Sequence, residues 1–242
     1  GHHHRFGDMA LAYCIYFLES KNLARITVYG EYLEKFPPKD EVQIAENTSW
    51  SCAHGIERWR GNCGCNTGMN LGWTQEWRRP LREAVDLLDE RATAIYKSYS
   101  SKLLKDPWRA RDDYINVILD RTPKNVEDFL HRNARKDLSK DEKVIALKLL
   151  EMSRNAILML TSCGWFFDDI SGLEATQIMT YAARVVQLAR DVSGKNLETD
   201  FLTLLEKAKS NDPAMENGKR IYEKIVFPKV LDLLRVGAHG VM

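Results

Sequence analysis

The residues best suited to chemistry are crowded into one stretch, Asn47-Thr-Ser-Trp-Ser-Cys-Ala-His-Gly-Ile-Glu-Arg-Trp-Arg-Gly-Asn-Cys-Gly-Cys-Asn-Thr-Gly68. Within it and just beyond it fall four of the six tryptophans (Trp50, Trp59, Trp73, Trp77) and three of the five cysteines. Gly55, Gly61, Gly64, Gly68 and Gly72 are five of the 14 glycines, so the backbone there takes conformations or close approaches that other residues resist. Indole rings offer flat apolar faces with a single N–H donor. Set among His54, Glu57, Arg58, Arg60 and Asn66, they suit a pyranose, which has a C–H face to stack and hydroxyls to hydrogen-bond. The same tryptophans would equally serve as a small satellite core that pins the loop.

A second chemistry is open to the same loop. Cys52, His54, Cys63 and Cys65 are zinc-type ligands, although C-x-H-x8-C-x-C is not a standard finger spacing. Ordinary buried thiols are the plainer reading of these residues. A second island, Ser162-Cys-Gly-Trp-Phe-Phe-Asp-Asp-Ile-Ser-Gly172, again places aromatics beside carboxylates. Asp168 and Asp169 are not readable as an acid/base pair, because glycosidase carboxylates flank the bond at about 5–9.5 Å. Asp169 has a plain alternative role, favouring the positive end of a helix that Ser171 would cap.

The elements that must hold these islands are helical. Leu81, Val85, Leu88, Ala92, Ile95 and Tyr99 step by 4-3-4-3-4, one face of a long helix that starts near Pro80. Asp106-Pro107 is a cap followed by an N1 proline. Ser139-Lys-Asp-Glu142 and Ser171-Gly-Leu-Glu174 both have the capping-box pattern. Gly194 is placed to stop the second of these helices, and two more are expected over about 197–209 and 214–235. Ahead of the bundle, a helix is expected over 8–19 with Asp8 as cap. A short one capped by Thr27 must end before Pro37-Pro38, and the alternation of Glu41–Glu46 predicts a short strand. The fold class is therefore mainly α: a helical bundle preceded by a short mixed α/β stub and a long ordered loop over 47–78. The expected division is 1–46 for the stub and 47–242 for the helical domain.

Composition narrows the function. Lys plus Arg number 35 against 34 Asp plus Glu, so the net charge of +1 gives no general pull toward nucleic acid or an acidic membrane. No run of 18 apolar residues exists, and neither membrane nor nucleic acid is an expected partner. Five cysteines, an odd number, do not make a disulfide scaffold and suggest a reducing, cytoplasmic setting.

Three islands together resemble glycoside hydrolase family 57, and more closely the helical module of unknown function that follows certain family 57 barrels. They are Gly1-His-His-His-Arg-Phe-Gly-Asp-Met-Ala-Leu-Ala-Tyr13, Glu46-Asn-Thr-Ser-Trp-Ser-Cys-Ala-His-Gly-Ile-Glu-Arg-Trp-Arg-Gly-Asn-Cys-Gly-Cys65 and Cys163-Gly-Trp-Phe-Phe-Asp-Asp169. The resemblance implies a retaining enzyme with a (β/α)7 barrel and a helical bundle closing its cleft. Gly1, His2 and His3 resemble the tail of the family's Asp-Gly-Glu-x-Phe-Gly segment, so the histidines are expected to be native. The general acid/base Asp and the nucleophilic Glu would then lie upstream of residue 1. Residues 1–46 would be the end of the barrel, and the final Arg235–Met242 stretch carries no evident terminus signal.

Against the family's Tyr-Trp-His-Gly loop, His54 and Gly55 match, but the neighbouring aromatic pair does not, which leaves the substrate open. The implied role is stacking and positioning of an α-glucan or oligosaccharide, for a hydrolase or a glucanotransferase, with the barrel of the same polypeptide as partner. The implied binding residues are His2, His3, Trp50, His54, Glu57, Arg58, Trp59, Trp165 and Asp168. No catalytic residue is expected in this chain, which alone would be inactive. No cofactor is expected apart from zinc as an option at Cys52, His54, Cys63 and Cys65. The alternative is a non-catalytic helical protein-interaction module, zinc-stabilised or not.

Overall fold

A computed structural model describes residues 6–230. His2 and His3 lie outside the described residues. The chain divides into two compact units, Gly1–Glu46 and Asn47–Met242.

The first unit holds α1 (Gly7–Ser20) and α2 (Tyr29–Lys35). Helix α1 starts one residue earlier than the sequence predicts, so Asp8 sits in the first turn and not at the cap. Thr27 does not cap the main chain of α2. Its hydroxyl donates to Glu31, which also pairs with Arg25 and Lys35. Helix α2 ends at Lys35, before the two prolines, as their missing N–H groups require. No side chain of either helix is buried. The predicted strand at Glu41–Glu46 does not form. Alternation alone cannot make a strand, which needs a neighbour to complete its ladder, and the described residues contain no named strand. The stub is thus helix and coil where the sequence suggested α/β.

In the second unit, an irregular stretch with one 3₁₀ turn (Glu57–Trp59) leads into α3 (Arg78–Leu103). There follow α4 (Pro107–Asp113), α5 (Ile115–Leu119), α6 (Pro123–Asn133), α7 (Lys140–Leu158), α8 (Leu173–Ser193), α9 (Glu198–Leu205) and α10 (Gly218–Ile221). A π turn (Tyr222–Val226) and a 3₁₀ turn (Phe227–Lys229) break up the long last helix that the sequence predicts. Helices α3, α7 and α8 pack on one another, and α9 packs on α3. Their apolar stripes, Leu81, Val85, Leu88, Ala92 and Ile95 on α3 and Ile178, Met179, Ala182, Val185, Val186 and Ala189 on α8, are buried as their spacing predicts.

Local capping explains several boundaries. The Asp106 carboxylate accepts from Trp108 N and Arg109 N with Pro107 at N1. Both bonds of the Ser139–Glu142 capping box form. Gly194 ends α8 in the left-handed conformation. The second predicted box does not form. Gly172 is the N-cap of α8, and Ser171 instead gives its N–H to Asp169. Asp169 is committed elsewhere in the fold, so Ser171 is drawn one position too far from the helix to cap it.

Candidate functional site

The irregular stretch and the 162–169 island meet. The 3₁₀ turn Glu57–Trp59 packs on α3 and on a second 3₁₀ turn, Ser162–Trp165, which itself lies on α8. Trp59 Nε1 donates to the Ser162 carbonyl at 2.8 Å. Thr67 donates to Asp168 from its N–H, at 2.7 Å, and from its hydroxyl. Gln75 Nε2 and Trp77 Nε1 both reach the Asp168 carbonyl at 3.3 Å. Asn211 closes the seam, accepting from Thr74 N and donating to the carbonyls of Thr74 and Asp168.

Four potential ligands converge at one end of this seam. One ligand atom from each of Cys52, His54, Cys63 and Cys65 lies within 4.8 Å of all the others. Cys52 Sγ is 3.8 Å from both Cys63 Sγ and Cys65 Sγ, and Cys65 Sγ is 3.5 Å from His54 Nδ1. These separations exclude disulfides, whose sulfurs sit about 2.05 Å apart. The group could hold a metal ion.

Two glycines build the group. Gly55, in the left-handed region at φ +75°, lets the turn after His54 fold back, and a Cβ there would meet Asn47 O at 2.4 Å. Gly64, at φ +80°, reverses the chain between Cys63 and Cys65 so that both sulfurs face the same point. Asn62 Oδ1 accepts from Gly64 N, and Asn66 Nδ2 donates to Gly64 O. Burial alone would push the Cys52 thiol up, but the N–H groups of Arg58 and His54 and the two neighbouring thiols bring it down to about 7. Burial pushes Cys63 up.

Two buried guanidinium groups lie alongside. Arg78 is fully buried and donates from Nη1 to the Cys65 carbonyl at 2.8 Å and from Nη2 to the carbonyls of Phe166 and Phe167. Arg58 is buried too, with its guanidinium 4.5 Å from the Phe166 ring centre and Nη1 on the Phe166 carbonyl. The Nε atoms of both have no hydrogen-bond partner. Burial and repulsion from Arg58 bring Arg78 down to about 10, against the pull of Cys63, Asp168 and Cys65. Arg78 was missed as a site residue, yet a signal existed: it continues the buried stripe 81–85–88 of α3 one step toward the N-terminus, where an arginine needs a partner.

The sequence-derived binding residues separate into two sets. Trp165 is 0% exposed, with Nε1 on the Arg78 carbonyl, and Asp168 and Arg58 are also interior. These three, expected at a binding surface, hold the seam together. Trp50, at 92% exposed, presents its ring to solvent 6.1 Å from that of Phe166. His54 and Glu57 are exposed and Trp59 is half-buried. Trp59 and Glu57 line an open groove of about 630 Å³ with Ile56, Arg60, Arg79, Arg82, Glu83 and Asp86.

Residues 73–242 match the family described as Domain of unknown function (DUF3536). The chain belongs to this family. The matched part of the DUF3536 chain includes the helical bundle, Arg78 and the 162–169 island, while the Cys/His group precedes it. Comparison with curated proteins and with solved structures returned no match. No helix among the described residues is long and apolar enough to cross a membrane.

Proposed function

We propose that this DUF3536 chain is the helical, substrate-positioning part of a retaining glycoside hydrolase or α-glucanotransferase resembling family 57, acting in the cytoplasm. The bond-breaking carboxylates belong to the barrel of the same polypeptide, and an α-glucan or oligosaccharide lies against this chain. The observation that carries the reading is the groove at Trp59. Its indole N–H is spent on Ser162, so what the ring offers a ligand is an apolar face. Around it stand Glu57, Arg60, Arg79, Arg82 and Asp86, a set able to hydrogen-bond hydroxyls. Stacking with polar flanks is the physical requirement for holding a pyranose, and remote contacts of this kind fix the geometry of attack. Arg58, Trp165 and Asp168 act by shaping the wall behind Trp59.

The test is calorimetric titration of the chain with maltooligosaccharides, with Trp59→Ala alongside. Binding that the substitution abolishes supports the reading; no heat, or identical heats for both proteins, overturns it. A second reading, favoured by the Cys/His group, is a non-catalytic helical module for protein contacts, stabilised by zinc. In that case Trp50 and the Phe166–Phe167 pair are the natural anchor, since Trp is a common hot-spot residue.

A further inference from the structure

We propose that Cys52, His54, Cys63 and Cys65 hold one zinc ion in a closed tetrahedral centre, and that buried Arg58 and Arg78 are its counter-charge. This rests on the zinc-stabilised reading above and is independent of the saccharide reading. Three observations converge on it.

The first is geometric. With zinc–sulfur and zinc–nitrogen bonds of about 2.3 and 2.05 Å, a tetrahedron has sulfur–sulfur edges of about 3.8 Å and a sulfur–nitrogen edge of about 3.6 Å. The structure has two sulfur–sulfur separations of 3.8 Å and a sulfur–nitrogen separation of 3.5 Å. The second is chemical. Three thiolates and an imidazole suit zinc and not magnesium, calcium or manganese, which prefer oxygen. Four protein ligands leave no open position, so the centre is structural. Asn62 Oδ1 accepts from Gly64 N and Arg78 Nη1 donates to the Cys65 carbonyl, outer hydrogen bonds that hold the turn carrying two of the ligands.

The third is charge. Arg58 and Arg78 bring two positive charges into the interior, and Asp168 and Asp169 two negative ones, of which the Asp169 carboxylate is taken up by Ser171, Ser210 and Asn211. A buried charge is stabilised by a neighbour of opposite sign, and no carboxylate forms an ion pair with either guanidinium among the described residues. A zinc ion with three thiolates and a neutral imidazole carries a net charge of −1, the sign that two neighbouring guanidinium groups favour. Arg78 touches the centre directly, through the Cys65 carbonyl. The metal therefore does two things: it knots a stretch without a regular element apart from one 3₁₀ turn, and it sets a negative charge beside two arginines buried where that stretch meets α3.

The test uses the full chain, purified without added metal. Elemental analysis is expected to give one zinc per chain. Replacement by cobalt(II) is expected to give thiolate-to-cobalt charge transfer and the intense visible bands of a tetrahedral site. Cys63→Ser with Cys65→Ser loses both signals while keeping the His2–His4 run, so metal that persists in this variant is adventitious and overturns the proposal. A weak octahedral cobalt spectrum, or a chain without metal, does the same. Arg78→Met is expected to weaken zinc about tenfold or more in competition with a chromogenic chelator, and Arg78→Lys to recover most of the loss. Unchanged affinity in Arg78→Met refutes the counter-charge role. Saccharide heats at Trp59 are read separately, so the two readings can fail one at a time.

Discussion

Asp168 decides whether the meeting of the two islands is structural, and its replacement by Ala is the sharpest perturbation available. Its carboxylate accepts the Thr67 N–H at 2.7 Å and the Thr67 hydroxyl, and it lies among groups that feel the Arg78 charge. A hydrogen bond to a charged acceptor contributes about 1.5–3 kcal/mol. Asp168→Ala removes the acceptor of both bonds and leaves the Thr67 donors without it. The two bonds share one partner, so the expected loss is about 3–5 kcal/mol, or a fall in melting temperature of roughly 10 °C or more. Main-chain bonds from Gln75, Trp77 and Asn211 to the Asp168 carbonyl survive, so the helical bundle still folds. Urea unfolding followed by circular dichroism measures the loss. Thr67→Val, which removes the hydroxyl donor alone, is expected to cost about 1–2 kcal/mol. The double variant should fall short of the sum, because each change removes the other's partner. A loss under about 1 kcal/mol for Asp168→Ala, or strict additivity with Thr67→Val, refutes the argument and returns Asp168 to the ligand-binding surface that sequence alone suggested.

Three further outcomes are expected. Gly164→Ala places a Cβ 2.2 Å from Ile178 Cγ1, so overpacking should destabilise the chain by about 1–3 kcal/mol, and Ile178→Ala in the same protein should recover part of it. Ser139→Ala breaks the capping box of α7 and should cost about 1 kcal/mol in urea unfolding. Burial would push Asp169 up, but bonds from Ser171, Asn211 and Ser210 outweigh it and hold its carboxyl below the ordinary value. A carboxyl depressed in the folded state contributes stability above its unfolded pKa of about 3.9 and loses it as pH falls through the lower folded value. The urea midpoint should therefore drop below about pH 4, and Asp169→Asn should flatten that drop.

The bundle was legible because its determinants are local. Periodic apolar residues on α3 and α8, the Asp106-Pro107 start, the Ser139 box and the Gly194 stop each act within a turn or two of chain. Where a local pattern depended on distant partners, it misled. Ser171 has the sequence of a cap, but Asp169 takes its N–H because Ser210 and Asn211, about 40 residues away, fix that carboxylate. Glu41–Glu46 alternates like a strand without a neighbour to pair with.

By itself the sequence determined the long helices of the bundle, α3, α7 and α8, and the grouping of Cys52, His54, Cys63 and Cys65 in one glycine-rich stretch. Such things follow from side-chain type and short-range backbone preference. Only the tertiary structure decided that four ligand atoms lie within 4.8 Å, that Trp165 faces inward while Trp50 faces out, and that Arg58 and Arg78 share one interior with Asp168. Burial and charge balance belong to surfaces brought together from far along the chain, and no window of sequence contains both sides of such a contact.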